Sequence, residues 1–70
     1  MDWSHSLANA IIIQAVKDYR KVNRVLKTYP DYAEMLTEKK RLERFFLSDW
    51  FRVLTNVNGQ VLLNKLQKEL

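Results

Sequence analysis

Seventy residues with no cysteine, one glycine, one proline and a formal charge of +4 exclude a good deal before any motif is considered. A chain of this length supports one domain at most and buries only roughly 60% of the surface its unfolded form exposes. No disulfide or thiolate metal site can supplement that core, while 47% apolar residues argue against disorder.

So little Gly and Pro suits long helices with short connections better than a sandwich or barrel. The expectation is an all-α fold: one helical domain over 1–70, a small bundle of three to four helices at about 5–27, 31–47, 49–55 and 59–69. The opening residues Met1-Asp2-Trp3-Ser4-His5 are followed by no Lys or Arg before Lys17, unlike the basic flank of a signal peptide. The apolar run Ala10–Val16 is broken by Gln14 and is far short of a membrane span. A cytoplasmic setting is therefore expected, and a membrane partner is not.

The first helix is expected to begin at Ser4 or Ser6, either of which can accept from the free N–H groups of a first turn. Ala8, Ile12, Ala15, Val16, Tyr19, Val22 and Leu26 recur at steps of three and four and form one apolar stripe. Lys17, Arg20, Lys21, Arg24 and Lys27 follow the same steps on the opposite side.

Tyr29-Pro30-Asp31 interrupts this pattern, because proline cannot donate into a preceding helix and suits a first helical turn. Asp31 with Glu34 reads as a capping box, so a second helix is expected from Asp31, turning Tyr32, Met35, Leu36, Leu42, Phe45 and Phe46 inward. Its middle, Thr37–Arg41, is wholly polar and is expected to be solvated or frayed. Ser48 is a good cap and Asp49 suits the positive first turn of a short third helix, Asp49–Thr55.

Asn58-Gly59 is also a hairpin signal, with Phe51–Val57 and Gln60–Leu63 as its strands. The helical spacing of Leu62, Leu63, Leu66 and Leu70 favours a fourth helix capped by Asn58.

Several of these segments resemble small proteins encoded by phages and prophages of Gram-positive bacteria. They are Ala15-Val16-Lys17-Asp18-Tyr19-Arg20, Leu42-Glu43-Arg44-Phe45-Phe46-Leu47-Ser48-Asp49-Trp50-Phe51, Leu54-Thr55 and Asn58–Leu63. The likeness spans most of the chain and is weakest between Leu26 and Lys40; Asn58 stands where the group carries Asp. The resemblance implies a mobile-element origin and a host cytoplasm, and assigns no functional residue.

Catalysis finds little support. A nucleophile needs a base held within hydrogen-bond reach, and the sole His is His5, four residues into a terminus expected to be mobile. Ser48-Asp49 has no His partner in sequence and reads as a helix cap. Glu38 and Glu43 lie beside Arg41, Lys39 and Lys40, the spacing of solvated ion pairs. With one Gly, no phosphate-cradling loop exists. No catalytic residue, cofactor, metal site or small-molecule substrate is assigned, and an enzyme is not expected.

Binding is the better expectation. The face Lys17, Arg20, Lys21, Arg24 and Lys27 carries a surplus of cations that suits nucleic-acid phosphates or an acidic partner. Gln60, Asn64, Gln67 and Lys68 could serve a helix-turn-helix-like C-terminal half. Phe45, Phe46, Trp50 and Phe51 are expected in the core, with Trp50→Ala costing roughly 3–5 kcal/mol. A chain this small cannot readily cover all its large apolar side chains, so Ile13, Leu47, Phe51 and Trp3 are candidates for an apolar interface with a protein partner or in a homodimer. Two functions follow: a phage-type accessory protein that docks through helical faces, or a small DNA- or RNA-binding regulator.

Overall fold

The computed structural model describes the backbone of residues 3–69 and the side chains of 7–69. Four helices follow one another: α1 (Trp3–Thr28), α2 (Ala33–Phe46), α3 (Asp49–Leu54) and α4 (Gly59–Lys68). No strand occurs among the described residues, so the Asn58-Gly59 turn joins helices and not a hairpin. At a rise of about 1.5 Å per residue the 26-residue α1 is about 39 Å long. It alone accounts for the long dimension of a 43 × 19 × 19 Å molecule.

The stripe on α1 meets the expectation. Ala15, Tyr19 and Val22 are buried, and Ile12, Val16 and Leu26 pack against them. α2 runs antiparallel to α1 and adds Leu42 and Phe46; α3 adds Phe51, and α4 adds Leu63 and Leu66. Three aromatic edges stitch this core together. Tyr19 meets Phe46 at 5.9 Å, Phe45 meets Phe51 at 5.6 Å and Phe46 meets Phe51 at 5.8 Å, all near-perpendicular ring pairs of the kind that adds to area burial.

Two caps are where the sequence puts them. Ser48 Oγ accepts from the Phe51 N–H at 3.2 Å and donates to the Phe45 carbonyl at 2.6 Å. Asn58 Oδ1 accepts from both Gln60 and Val61 N–H. The Asp31 capping box does not form. The Tyr32 N–H instead donates to the Tyr29 carbonyl, closing a β-turn with Pro30 and Asp31 at its centre, and α2 starts at Ala33 with no side-chain cap. Proline's fixed φ favours the second position of such a turn, and this moves Asp31 out of the cap position.

Two further expectations need correction. Tyr32 and Leu36 are exposed, because the later start of α2 leaves them outside the face set by Met35, Leu42 and Phe46. Of the two outcomes expected for the polar stretch Thr37–Arg41, solvated or frayed, the first holds: it is continuous helix with Thr37, Lys40 and Arg41 exposed and Arg41 paired to Glu38 at 2.6 Å. Trp50 is 58% exposed: α3 turns Phe51 into the core, and the next residue along a helix points about 100° away.

Gly59 has a role its turn signal did not disclose. Its φ is not positive, yet a Cβ there would collide with the Phe46 carbonyl oxygen, lie 2.9 Å from the carbonyl carbon and press on Phe51. The first turn of α4 thus rests directly on the end of α2, an approach open only to glycine.

Candidate protein-binding surfaces

Two parts of the surface carry chemistry beyond that of a solvated helix face. The first is α3 with its flanking corners. Trp50 and Val53, three residues apart, share the outer face of α3 and are both exposed; Leu47 precedes them and Val57 follows, also exposed. Asp49 and Arg52 face each other at 3.6 Å on the same short helix. Apolar anchors ringed by solvated charge are the usual composition of a protein interface.

Of the residues expected at an apolar interface, Ile13 is 54% exposed and Leu47 is exposed. Phe51 is fully buried and is withdrawn from that surface, since it holds α3 to the core through Phe45 and Phe46. The Trp3 side chain lies outside the described residues.

The second part is the cationic side of α1. Lys17, Arg20, Lys21, Arg24 and Lys27 are all exposed, as their spacing requires. Arg20 is engaged: its Nε and one terminal nitrogen donate to the two Glu69 carboxylate oxygens at 2.9 and 2.8 Å. The pair holds the Glu69 carboxyl below its ordinary range and the Arg20 guanidinium above its own. Lys17, Lys21, Arg24 and Lys27 make no ion pair among the described residues.

Beneath this face lies a polar cluster that sequence reasoning missed. The Tyr19 hydroxyl, on a fully buried ring, donates to Glu43 Oε2 at 2.8 Å, and Gln67 Nε2 donates to the same oxygen at 3.2 Å. Three helices meet at that one carboxylate. Glu43 is thus no partner of Lys39 or Lys40; its helical position turns it toward α1 and α4. Burial, and then the bond to Glu43, push the Tyr19 hydroxyl up to about 12, opposed by the nearby amides of Gln67 and Asn23. Asn23 is itself buried, and its Oδ1 has no hydrogen-bond partner among the described residues. Its place beside Val22 on the edge of the apolar stripe was the one available signal.

The C-terminal half is less suited to nucleic acid than its sequence suggested. α3 lies mainly against α1 and α2 and meets α4 chiefly where Gly59 sits beside the Phe51 ring, whereas the two helices of a DNA-reading pair pack on each other more fully. Gln60 donates to Asn64, and Gln67 is occupied by Glu43. No protein-family model, curated protein or solved structure matches the chain. Among the described residues no helix is long and apolar enough to cross a membrane, and no three metal-ligating side chains converge.

Proposed function

We propose that this protein is a small helical accessory factor that binds another protein through the outer face of α3, with Trp50 as the anchor. The observation that carries this reading is the 58% exposure of Trp50 on a helix whose neighbouring residue, Phe51, already satisfies the core. A tryptophan held in water beside exposed Val53 and Leu47 is unfavourable in isolation and is among the most productive anchors in an interface. The resemblance to phage and prophage proteins supports a mobile-element origin and a host cytoplasmic setting; action there on a host or phage protein, without catalysis, is part of the proposal.

A quantitative capture experiment tests the reading. Immobilised native chain and a Trp50→Ala variant of equal helicity are exposed to extract from a Gram-positive host, and retained proteins are compared. A partner retained by the native chain and lost with Trp50→Ala is the expected result. Equal retention by both would remove α3 from the binding surface.

A second reading, a nucleic-acid regulator, draws on the unpaired cations Lys17, Lys21, Arg24 and Lys27. Binding of DNA that falls steeply with salt, with a slope near the number of phosphates neutralised, would favour it. The slight contact between α3 and α4 weighs against a helix-turn-helix version.

A further inference from the structure

Two recesses flank Asn23, which lines both. One, of about 310 Å³, is walled by Lys17, Arg20, Arg24 and Glu69 with Leu66 beside them. The other, of about 290 Å³, lies between Leu26, Lys27 and Lys39. Five cations therefore border the two recesses that meet at Asn23, with a single carboxylate among the described residues that line them. We infer that these two recesses together receive an acidic peptide segment, extended along α1 from Lys17 toward Lys27.

Four features define the ligand. Glu69 already sits on Arg20 through two hydrogen bonds, so the site accepts a carboxylate in bidentate geometry and holds an internal competitor for it. Leu66 and Leu26 supply apolar wall for the methylene groups of acidic side chains.

Asn23 selects the backbone. Only 3% of this residue is exposed, and among the described residues its Oδ1, an acceptor with almost no exposed surface, has no partner, so a bound donor must part the lining of the recess to reach it. A peptide offers N–H donors to such a group, whereas a DNA phosphodiester offers only acceptors. Among the described residues no aromatic ring lines either recess, which removes the stacking platform that single strands require.

Length is also consistent. Lys17 to Lys27 spans about 15 Å of helix, and an extended peptide advances about 3.3 Å per residue, presenting alternate side chains about 7 Å apart. Four or five residues with acidic side chains on one edge fill that span. This site lies on another face from Trp50 and stands separately from the α3 surface.

The test uses the full chain and a fluorescein-labelled hexaglutamate with blocked termini, followed by anisotropy at low and high salt. Glu69→Gln removes the competitor and is expected to tighten binding about two- to fivefold, the strength of an exposed ion pair. Lys17→Ala with Arg24→Ala is expected to weaken it by about tenfold. A backbone N-methylated hexaglutamate, which lacks the donors, is expected to bind about threefold or more weakly. Trp50→Ala leaves all these values unchanged. Unaltered affinity with Glu69→Gln, equal affinity for the N-methylated peptide, or tighter binding of duplex or single-stranded DNA at the same salt would each overturn the assignment.

Discussion

Trp50 and Phe51 are adjacent in sequence and opposite in environment, and substituting each in turn tests the rotation of α3 directly. Phe51 is fully buried and meets both Phe45 and Phe46 edge-on. Truncating such a ring to alanine costs about 3–5 kcal/mol. A 70-residue chain has only about 4–10 kcal/mol of total stability at typical values per residue, so Phe51→Ala is expected to lose about a third of it or more. Phe51→Leu keeps much of the volume and loses the two ring contacts, a cost of about 1–2 kcal/mol. At about 4–8 °C per kcal/mol for a domain this small, its midpoint falls by about 5–15 °C. Trp50→Ala removes a side chain that stands mostly in water, and its effect should stay within about 0.5 kcal/mol. Thermal and urea unfolding followed by circular dichroism at 222 nm measure all three. A Trp50→Ala variant that loses about 2 kcal/mol or more, or a Phe51→Ala variant that loses less than about 1 kcal/mol, would mean that α3 is rotated by one residue.

Gly59→Ala places a methyl group against the Phe46 carbonyl and should destabilise by about 1–3 kcal/mol or more, although alanine is the better helix former. A neutral result in urea titration would show that α4 does not rest on the end of α2. Tyr19 ionises at about 12 in the folded chain against 10.0 ordinarily. Its neutral form is the one the fold favours, so this contribution is intact below pH 10 and is lost as pH rises toward 12. The loss amounts to about 2–3 kcal/mol, and Tyr19→Phe should remove that part of the alkaline fall in stability. Ile13 is 54% exposed with Lys17 one turn on, so self-association through it would bring like charges together. Sedimentation equilibrium should find a dimer that strengthens with salt and is dissociated by Ile13→Lys with helix content retained. A native chain that remains monomeric at all salt concentrations would dispose of that interface.

The helices were legible because their causes are local. The spacing of Ala15, Tyr19, Val22 and Leu26 requires a helix whatever it packs against, and Ser48 and Asn58 cap through bonds within three residues of themselves. Asp31 failed for an equally local reason that competed with the first, the preference of Pro30 for a β-turn. What could not be read was which of two adjacent aromatics on a six-residue helix would face inward. Both Trp50 and Phe51 lie on an apolar arc, and the choice depends on Phe45 and Phe46 arriving from another helix. The cationic face of α1 was visible from its period, but its engagement by Glu69 was not, with 49 residues separating Arg20 from that partner. The convergence of Tyr19, Glu43 and Gln67 likewise needs three helices in place. Gly59 carried a correct turn signal for an incomplete reason, since nothing nearby in sequence indicates that Phe46 will lie against it.

The slenderness of the core has a consequence for detecting what this protein meets. Eight apolar side chains are buried among the described residues, so the gap between folded and unfolded populations is narrow. A ligand that binds only the folded chain widens that gap by about 2.7 kcal/mol when present at a hundred times its dissociation constant. For a domain of this size that amounts to about 10–20 °C of melting temperature. The molecule is thus a sensitive reporter of its own occupancy. A thermal-shift screen against acidic peptides and host proteins would register a true ligand as a large displacement, without label or activity assay.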